Sequence, residues 1–217
     1  MRRFPETVWI VACCALGFIA CNSTYTSKKK GYFKVDLPAH QYQAFARPGF
    51  PYSFDYPVYA SIIQDSTYFD AVPENPYWIN VDFPQFGARI FLSYKIVGGK
   101  TIYKIPVGGG NYKDSAGINQ FDKMVNDAFT LTNKNQAVTA SIKDSLFQTD
   151  NGVSGVYFKV GGNAATGRQF FMSDTTRHFL RGALYFNATP NADSLKLIQD
   201  FLQKDIEHLI NTFKWQQ

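Results

Sequence analysis

The strongest periodicity in the chain lies near its end. From Asp193 onward apolar side chains fall at Leu195, Ile198, Leu202, Ile206 and Leu209, with Phe201 and Ile210 beside them. Steps of three and four residues gather these on one side of a helix of roughly 20 residues, and a stripe that wide has to lie on another apolar surface. Asn191 or Asp193 is placed to cap it. Ile118, Phe121, Val125, Ala128, Phe129 and Thr132 repeat the spacing, so a first long helix is expected there, ending at Asn133 to Asn135.

The surface these helices cover is written as strands. Tyr77–Phe83 and Ala88–Val97, joined by Pro84-Gln-Phe-Gly87, read as a hairpin with Ile79, Val81 and Phe83 on the same face as Ile90, Leu92 and Tyr94. Ala137–Phe147 and Val153–Val160 follow the first helix as strands, with a turn-rich stretch Gly161–Gly167 after them. Arg168–Met172 and His178–Phe186 then form a second hairpin about the polar connection Ser173–Arg177. Gly31–Pro38 alternates as a half-buried strand, and Arg47-Pro48-Gly49 signals a turn. Prolines 51 and 57 confine Pro51–Ile63 to a sheet edge or to short pieces. Asp65–Pro76 and the glycine-containing segment Gly98–Asp114 are expected to be loops, the latter exposed and inserted.

Strands, a helix, four strands and a helix, linked mostly as hairpins, imply a single α+β domain over residues 31–217. It is a mostly antiparallel sheet covered by two long amphipathic helices; a β-rich fold that the helices merely decorate is the alternative. About 187 residues suffice for one sizeable core and are too few for two.

The other end is of a different kind. Arg2 and Arg3 precede an apolar stretch from Val8 to Ala20, and about 13 apolar residues cannot cross a hydrocarbon layer of about 30 Å. Phe18-Ile19-Ala20-Cys21 resembles the end of a bacterial lipoprotein signal, which implies removal of residues 1–20 and a diacylglycerol on the Cys21 thiol. An unmodified soluble chain or an uncleaved anchor are the alternatives. Residues 21–30, polar and closed by Lys28–Lys30, read as a flexible tether. No cysteine follows Cys21, which excludes disulfides, thiolate catalysis and Cys-ligated metals from the mature chain.

Removing Arg2, Arg3 and Glu6 with the signal leaves 20 basic and 16 acidic side chains. That excess is spread out, and nucleic acid is not an expected partner. Motifs for chemistry are weak. Gly108-Gly-Gly110 lacks the Lys-Ser/Thr of a phosphate loop, Gly152-Val-Ser-Gly155 lacks a nucleophile elbow, and no HExxH is present. Asp205 and His208 share a helical turn, most simply as a surface ion pair. No catalytic residue, metal, cofactor or small-molecule substrate is therefore assigned, and the chain is not expected to be an enzyme. A periplasmic hydrolase or glycan-binding module is the alternative.

Polar and aromatic residues suited to a protein interface stand out instead. Arg168, Asp174, Arg177, His178 and Arg181 crowd the second hairpin, and guanidinium groups suit carboxylates and carbonyls. Tyr52 and Tyr56 are candidates of the same kind, in a chain of which 17% is aromatic. That Arg and Tyr simply finish a sheet's rim explains these positions equally.

Gly31-Tyr-Phe-Lys-Val-Asp-Leu-Pro38, Pro51-Tyr-Ser-Phe-Asp-Tyr-Pro57-Val-Tyr59, Trp78-Ile-Asn-Val-Asp-Phe-Pro84 and Gly161-Gly-Asn-Ala-Ala165 keep their order along the chain with Phe179-Leu-Arg-Gly-Ala-Leu-Tyr-Phe-Asn187, Asn191-Ala-Asp-Ser-Leu195 and Asp205-Ile-Glu-His-Leu-Ile-Asn-Thr-Phe213. Together they resemble the gliding-motility lipoprotein family GldD of Bacteroidetes. The resemblance implies a noncatalytic accessory lipoprotein of the gliding and type IX secretion machinery, held in the cell envelope by lipid on Cys21, with other proteins of that machinery as partners. It brings no catalytic residues. The absence of acidic residues directly after Cys21 points to a periplasm-facing domain.

Overall fold

A computed structural model describes residues 36–64, 73–134, 139–189 and 192–216. Cys21, the signal, the tether and most of the expected strand Gly31–Pro38 lie outside these residues, as does 65–72 of the expected loop. Of that strand Asp36–Pro38 is described, and it has no regular structure.

The described chain forms β1 (Tyr42–Phe45), β2 (Tyr52–Pro57), β3 (Ser61–Gln64), β4 (Ile79–Phe83), β5 (Ala88–Ile96), β6 (Lys100–Gly108) and β7 (Asn111–Ile118), followed by a long helix, α1 (Phe121–Asn133). Then come β8 (Thr139–Gln148), β9 (Ser154–Gly162), β10 (Arg168–Ser173), β11 (His178–Phe186), helix α2 (Ala192–Thr212) and the short β12 (Lys214–Trp215). Seven strands make one sheet in the order β3-β4-β5-β11-β10-β9-β8, a second sheet runs β1-β2-β12, and β6 pairs only with β7. Every pairing is antiparallel. This is the expected α+β class, mostly antiparallel strand with two long helices.

Side-chain alternation decides which helix goes where. In β10, Phe170 and Met172 join a core with Ile79, Val81, Ile90, Leu92, Leu180 and Leu184, sealed by Leu202, Ile206, Leu209 and Ile210 of α2. Phe171 points the other way and joins Val156, Phe158 and Phe179 under Met124 and Ala128 of α1. The helices therefore cover opposite faces of the sheet. All six residues of β10 are buried. Burying each large apolar side chain of α2 contributes about 1.5–3 kcal/mol as an upper bound, enough to hold a helix whose polar face is solvated.

The β4–β5 hairpin has the expected register, Ile79 opposite Leu92 and Val81 opposite Ile90. Its connection is a 3-10 turn, Pro84–Phe86, closed by Gly87 in the left-handed region (φ 54°).

Three expectations change. Ile118 ends β7 and is exposed, so α1 begins at Phe121. Asp193 lies in the first turn of α2 and is not its cap. Gly98–Asp114 belongs to a β-ribbon: Thr101-Ile-Tyr-Lys-Ile alternates, and Gly108, Gly109 and Gly110 supply the positive φ of its turn. Pro51–Ile63 is held to short pieces as expected, with β2 of six residues and β3 of four at the edge of the large sheet; β2 is itself the middle strand of the small sheet, the two prolines standing at its ends.

At Gly155, a Cβ would stand 2.0 Å from the carbonyl oxygen of Phe171 on the neighbouring strand. Backbone cannot yield as a side chain can, so Gly155→Ala is expected to destabilise by about 2–3 kcal/mol. The shift of the urea midpoint measures it. Leu146→Ser on β8, where the side chain is 85% exposed, serves as control and should change stability by no more than about 0.5 kcal/mol.

Candidate functional site: a cationic cleft beside the small sheet

A cleft of about 510 Å³ opens between the β1–β2 turn and the ends of β5 and β11. Arg47 and Arg177 line it, with Tyr77, Tyr94, His178 and Gln216, and among the described residues no Asp or Glu does. Its volume lies in the usual range of ligand sites, about 300–1,000 Å³.

The polar connection of the second hairpin is folded by its own side chains. Asp174 Oδ1 accepts the backbone N–H groups of Thr176, Arg177 and His178 at 3.1, 2.8 and 2.8 Å. Ser173 Oγ accepts the N–H of Thr175 at 2.8 Å and donates to the His178 carbonyl at 2.5 Å. These bonds hold Thr175 at φ 66°, a conformation costly to a β-branched residue. They place Arg177 at the mouth and His178 in the wall. Burial pushes the Asp174 carboxyl up, but the three N–H groups outweigh it and leave the acid below its ordinary value.

His178 is buried, stacked on Trp215 at 4.9 Å with the ring planes 12° apart. Burial lowers its pKa, Asp174 opposes and Arg177 adds to the lowering. The neutral ring takes the Tyr94 O–H, 2.6 Å from Nδ1. Tyr94 is pushed up to about 12, by burial first and with Arg177 pulling the other way. Tyr77 stands edge-on to Tyr94 at 5.7 Å. Arg47 and Arg177 are exposed, and among the described residues neither is paired with a carboxylate.

The candidates read from the sequence are thus divided. Arg177, His178 and Tyr52 line the cleft and Asp174 shapes it. Tyr52 is fully buried, with its hydroxyl donating to the Tyr77 carbonyl at 2.5 Å. Its ring belongs to the core, which corrects its place on an exposed edge. Tyr56 is half-buried against the same core. Arg168 and Arg181 are not brought together. Arg168 sits opposite Leu184 and turns toward α2, with its Nη2 3.0 Å from Asp200 Oδ1 and Nε 3.1 Å from Gln203 Oε1. Arg181 sits opposite Phe171, on the α1 face, and donates to Gln169 at 2.5 Å. Both are consumed inside the fold.

Arg47, Tyr94 and Gln216 were not singled out from the sequence. Arg47 had been legible only as part of a turn, and nothing local links residue 47 to residue 177. A second group also went unread. Asp205, 1% exposed, accepts from the Tyr59 hydroxyl at 2.5 Å and the Tyr42 hydroxyl at 3.1 Å and lies 2.7 Å from His40 Nδ1. The expected surface pair with His208 is absent: His208 stacks on Tyr42, ring centroids 3.5 Å apart, 3.7 Å from Asp55. Burial and Asp205 push Tyr42 up to about 12. This carboxylate ties the chain before β1, and the turn after β2, to α2. Among the described residues no group of three His, Cys, Asp or Glu is placed to hold a metal.

Because the folded state keeps His178 neutral below the ordinary value of 6.5, the unfolded chain takes up a proton first as pH falls. Stability should drop below pH 6.5 until folded His178 protonates in turn. Denaturant midpoints measured through that range should fall less steeply for His178→Gln than for the unaltered protein.

None of the curated proteins matches the chain. Among solved structures, cyanobacterial PsbP (CyanoP) from Synechocystis shares 10% identity, over 84% of this chain and 97% of its own, at a TM-score of 0.42, too slight a likeness to carry fold or function across. The family model described as gliding motility lipoprotein GldD matches residues 22–215, nearly the whole length after Cys21, and the chain belongs to that family.

Proposed function

We propose that the protein is a noncatalytic accessory of the gliding and type IX secretion apparatus, anchored in the envelope by lipid on Cys21 after removal of residues 1–20. Residues 21–30 serve as its tether and residues 31–217 as one domain facing the periplasm. It works by holding a protein partner, and the cleft receives an acidic side chain of that partner. Family membership supports the apparatus and the lipoprotein character. Among the described residues no helix is long and apolar enough to cross a membrane.

The observation that carries the binding role is the pair Arg47 and Arg177, two exposed guanidinium groups in a cleft that no carboxylate of the described residues lines. Its titratable neighbours are already committed, Asp174 to backbone N–H groups and His178 to Tyr94. A guanidinium at the mouth offers a planar fork to a carboxylate, and the tyrosine rings accept the apolar flank of the same partner.

Two arms of one experiment test this. Cys21→Ala should release the protein from membranes and abolish gliding while the domain stays folded. Arg47→Gln with Arg177→Gln should leave attachment and folding unchanged yet lower crosslinking to the partner in intact cells by tenfold or more, at about 1.5–3 kcal/mol for each hydrogen bond to a charged group. Normal gliding and secretion in the double variant would rule out the cleft, and membrane attachment without the thiol would rule out the anchor.

A further inference from the structure

The β6–β7 ribbon stands apart from both cores. Its base is fixed: the Gly98 N–H donates to the Asn119 carbonyl at 2.8 Å and the Asn119 N–H to that of Gly99 at 2.9 Å. Glu74 accepts from Thr101 at 2.7 Å and from Asn119 Nδ2 at 3.2 Å. Tyr103 folds back, donating to the Ile118 carbonyl at 2.8 Å beneath Lys123 Nζ, which lies 3.3 Å from the ring centroid. Beyond that point nothing covers it among the described residues. Of twelve large apolar side chains exposed there, five belong to the ribbon: Ile102, Ile105, Val107, Tyr112 and Ile118.

We propose that this ribbon docks the domain on an anionic lipid surface, its apolar tip entering the boundary between headgroups and acyl chains while Lys104 and Lys113 meet lipid phosphates. The tip from Lys104 to Lys113 carries two lysines and no acid, and Asp114, opposite Lys104, sits on the base side of it. Lys and Tyr are suited to that boundary because each has an apolar body and a polar end, whereas lysine is depleted from protein interfaces. Two strands about 5 Å apart are also too narrow to bury the ~800 Å² a partner protein usually covers. Pairing of another strand along the ribbon is blunted by Pro106, which has no N–H, and by the register shift between Pro106 and Gly108. At about 3.3 Å per residue the nine residues of β6 reach about 30 Å, and the inference takes from the anchored reading above only that a bilayer is present.

The mature chain has no cysteine besides Cys21, so Val107→Cys provides a single labelling site on an exposed side chain. The lipidated full-length protein, carrying an environment-sensitive fluorophore at position 107, is mixed with phosphatidylethanolamine/phosphatidylglycerol vesicles containing nitroxide lipids. The label should be quenched severalfold more than one placed at Leu146→Cys. Phosphatidylcholine vesicles, Lys104→Gln with Lys113→Gln, or Ile105→Ser with Tyr112→Ser should each reduce the difference. Attached protein whose label at 107 stays in water would overturn the inference and leave the anchor intact. Quenching at 107 that persists in Cys21→Ser would sustain the inference and show that the ribbon reaches the surface without lipid at Cys21. Loss of vesicle association altogether would sink both.

Discussion

Strand β10 is apolar on both faces, and a strand in the middle of a sheet with two apolar faces needs two covers. Phe170 and Met172 on one side and Phe171 on the other have no other way out of water. An antiparallel sheet more often leaves one face solvated. Here α1 and α2 take opposite sides, and the rest of the architecture follows from where each can reach. The α2 side is the wider, so β1, β2 and β12 complete what the helix alone leaves open, packing Tyr52, Phe54 and Phe213 against the sheet.

That completion produces the cleft. After α2 the chain turns back, β12 pairs with the middle strand of the small sheet, and Trp215 lands on His178. The β1–β2 turn is thereby held across from the β10–β11 connection, and a gap bordered by both turns is lined with their arginines. The core that supports the cleft also spends the candidates that lie within it: Tyr52 and Arg168 are parts of the wall and of the helix contact. Guanidinium groups are free to bind only where a turn carries them beyond the sheet.

Buried Asp205, two turns before the end of α2, constrains the same helix. Its carboxylate is satisfied by three side chains from segments far away in the chain, His40, Tyr42 and Tyr59. Such a group is costly unless every partner is in place, so it favours one rotation and one height of α2 over its alternatives. The ribbon presents the opposite case, hydrogen-bonded at its base and, among the described residues, without apolar cover beyond Tyr103.

Much of the architecture was legible from local periodicity. The helices, the two hairpins and the antiparallel class follow from spacing of 3.6 or 2, because a side chain's face depends only on its place in its own element. The alternation in β10 and β11 already separates Arg168 from Arg181, although hairpin proximity suggested a cluster. The expectation of an anchor at Cys21 and the family resemblance rest on residue order alone. What only tertiary structure decided is which distant segments meet: Arg47 with Arg177, Asp205 with His40 and Tyr59, and β2 between β1 and β12. Those contacts depend on how α2 and the two sheets share one core, and the free energy of that packing belongs to the assembled whole, so no local stretch of sequence can carry it.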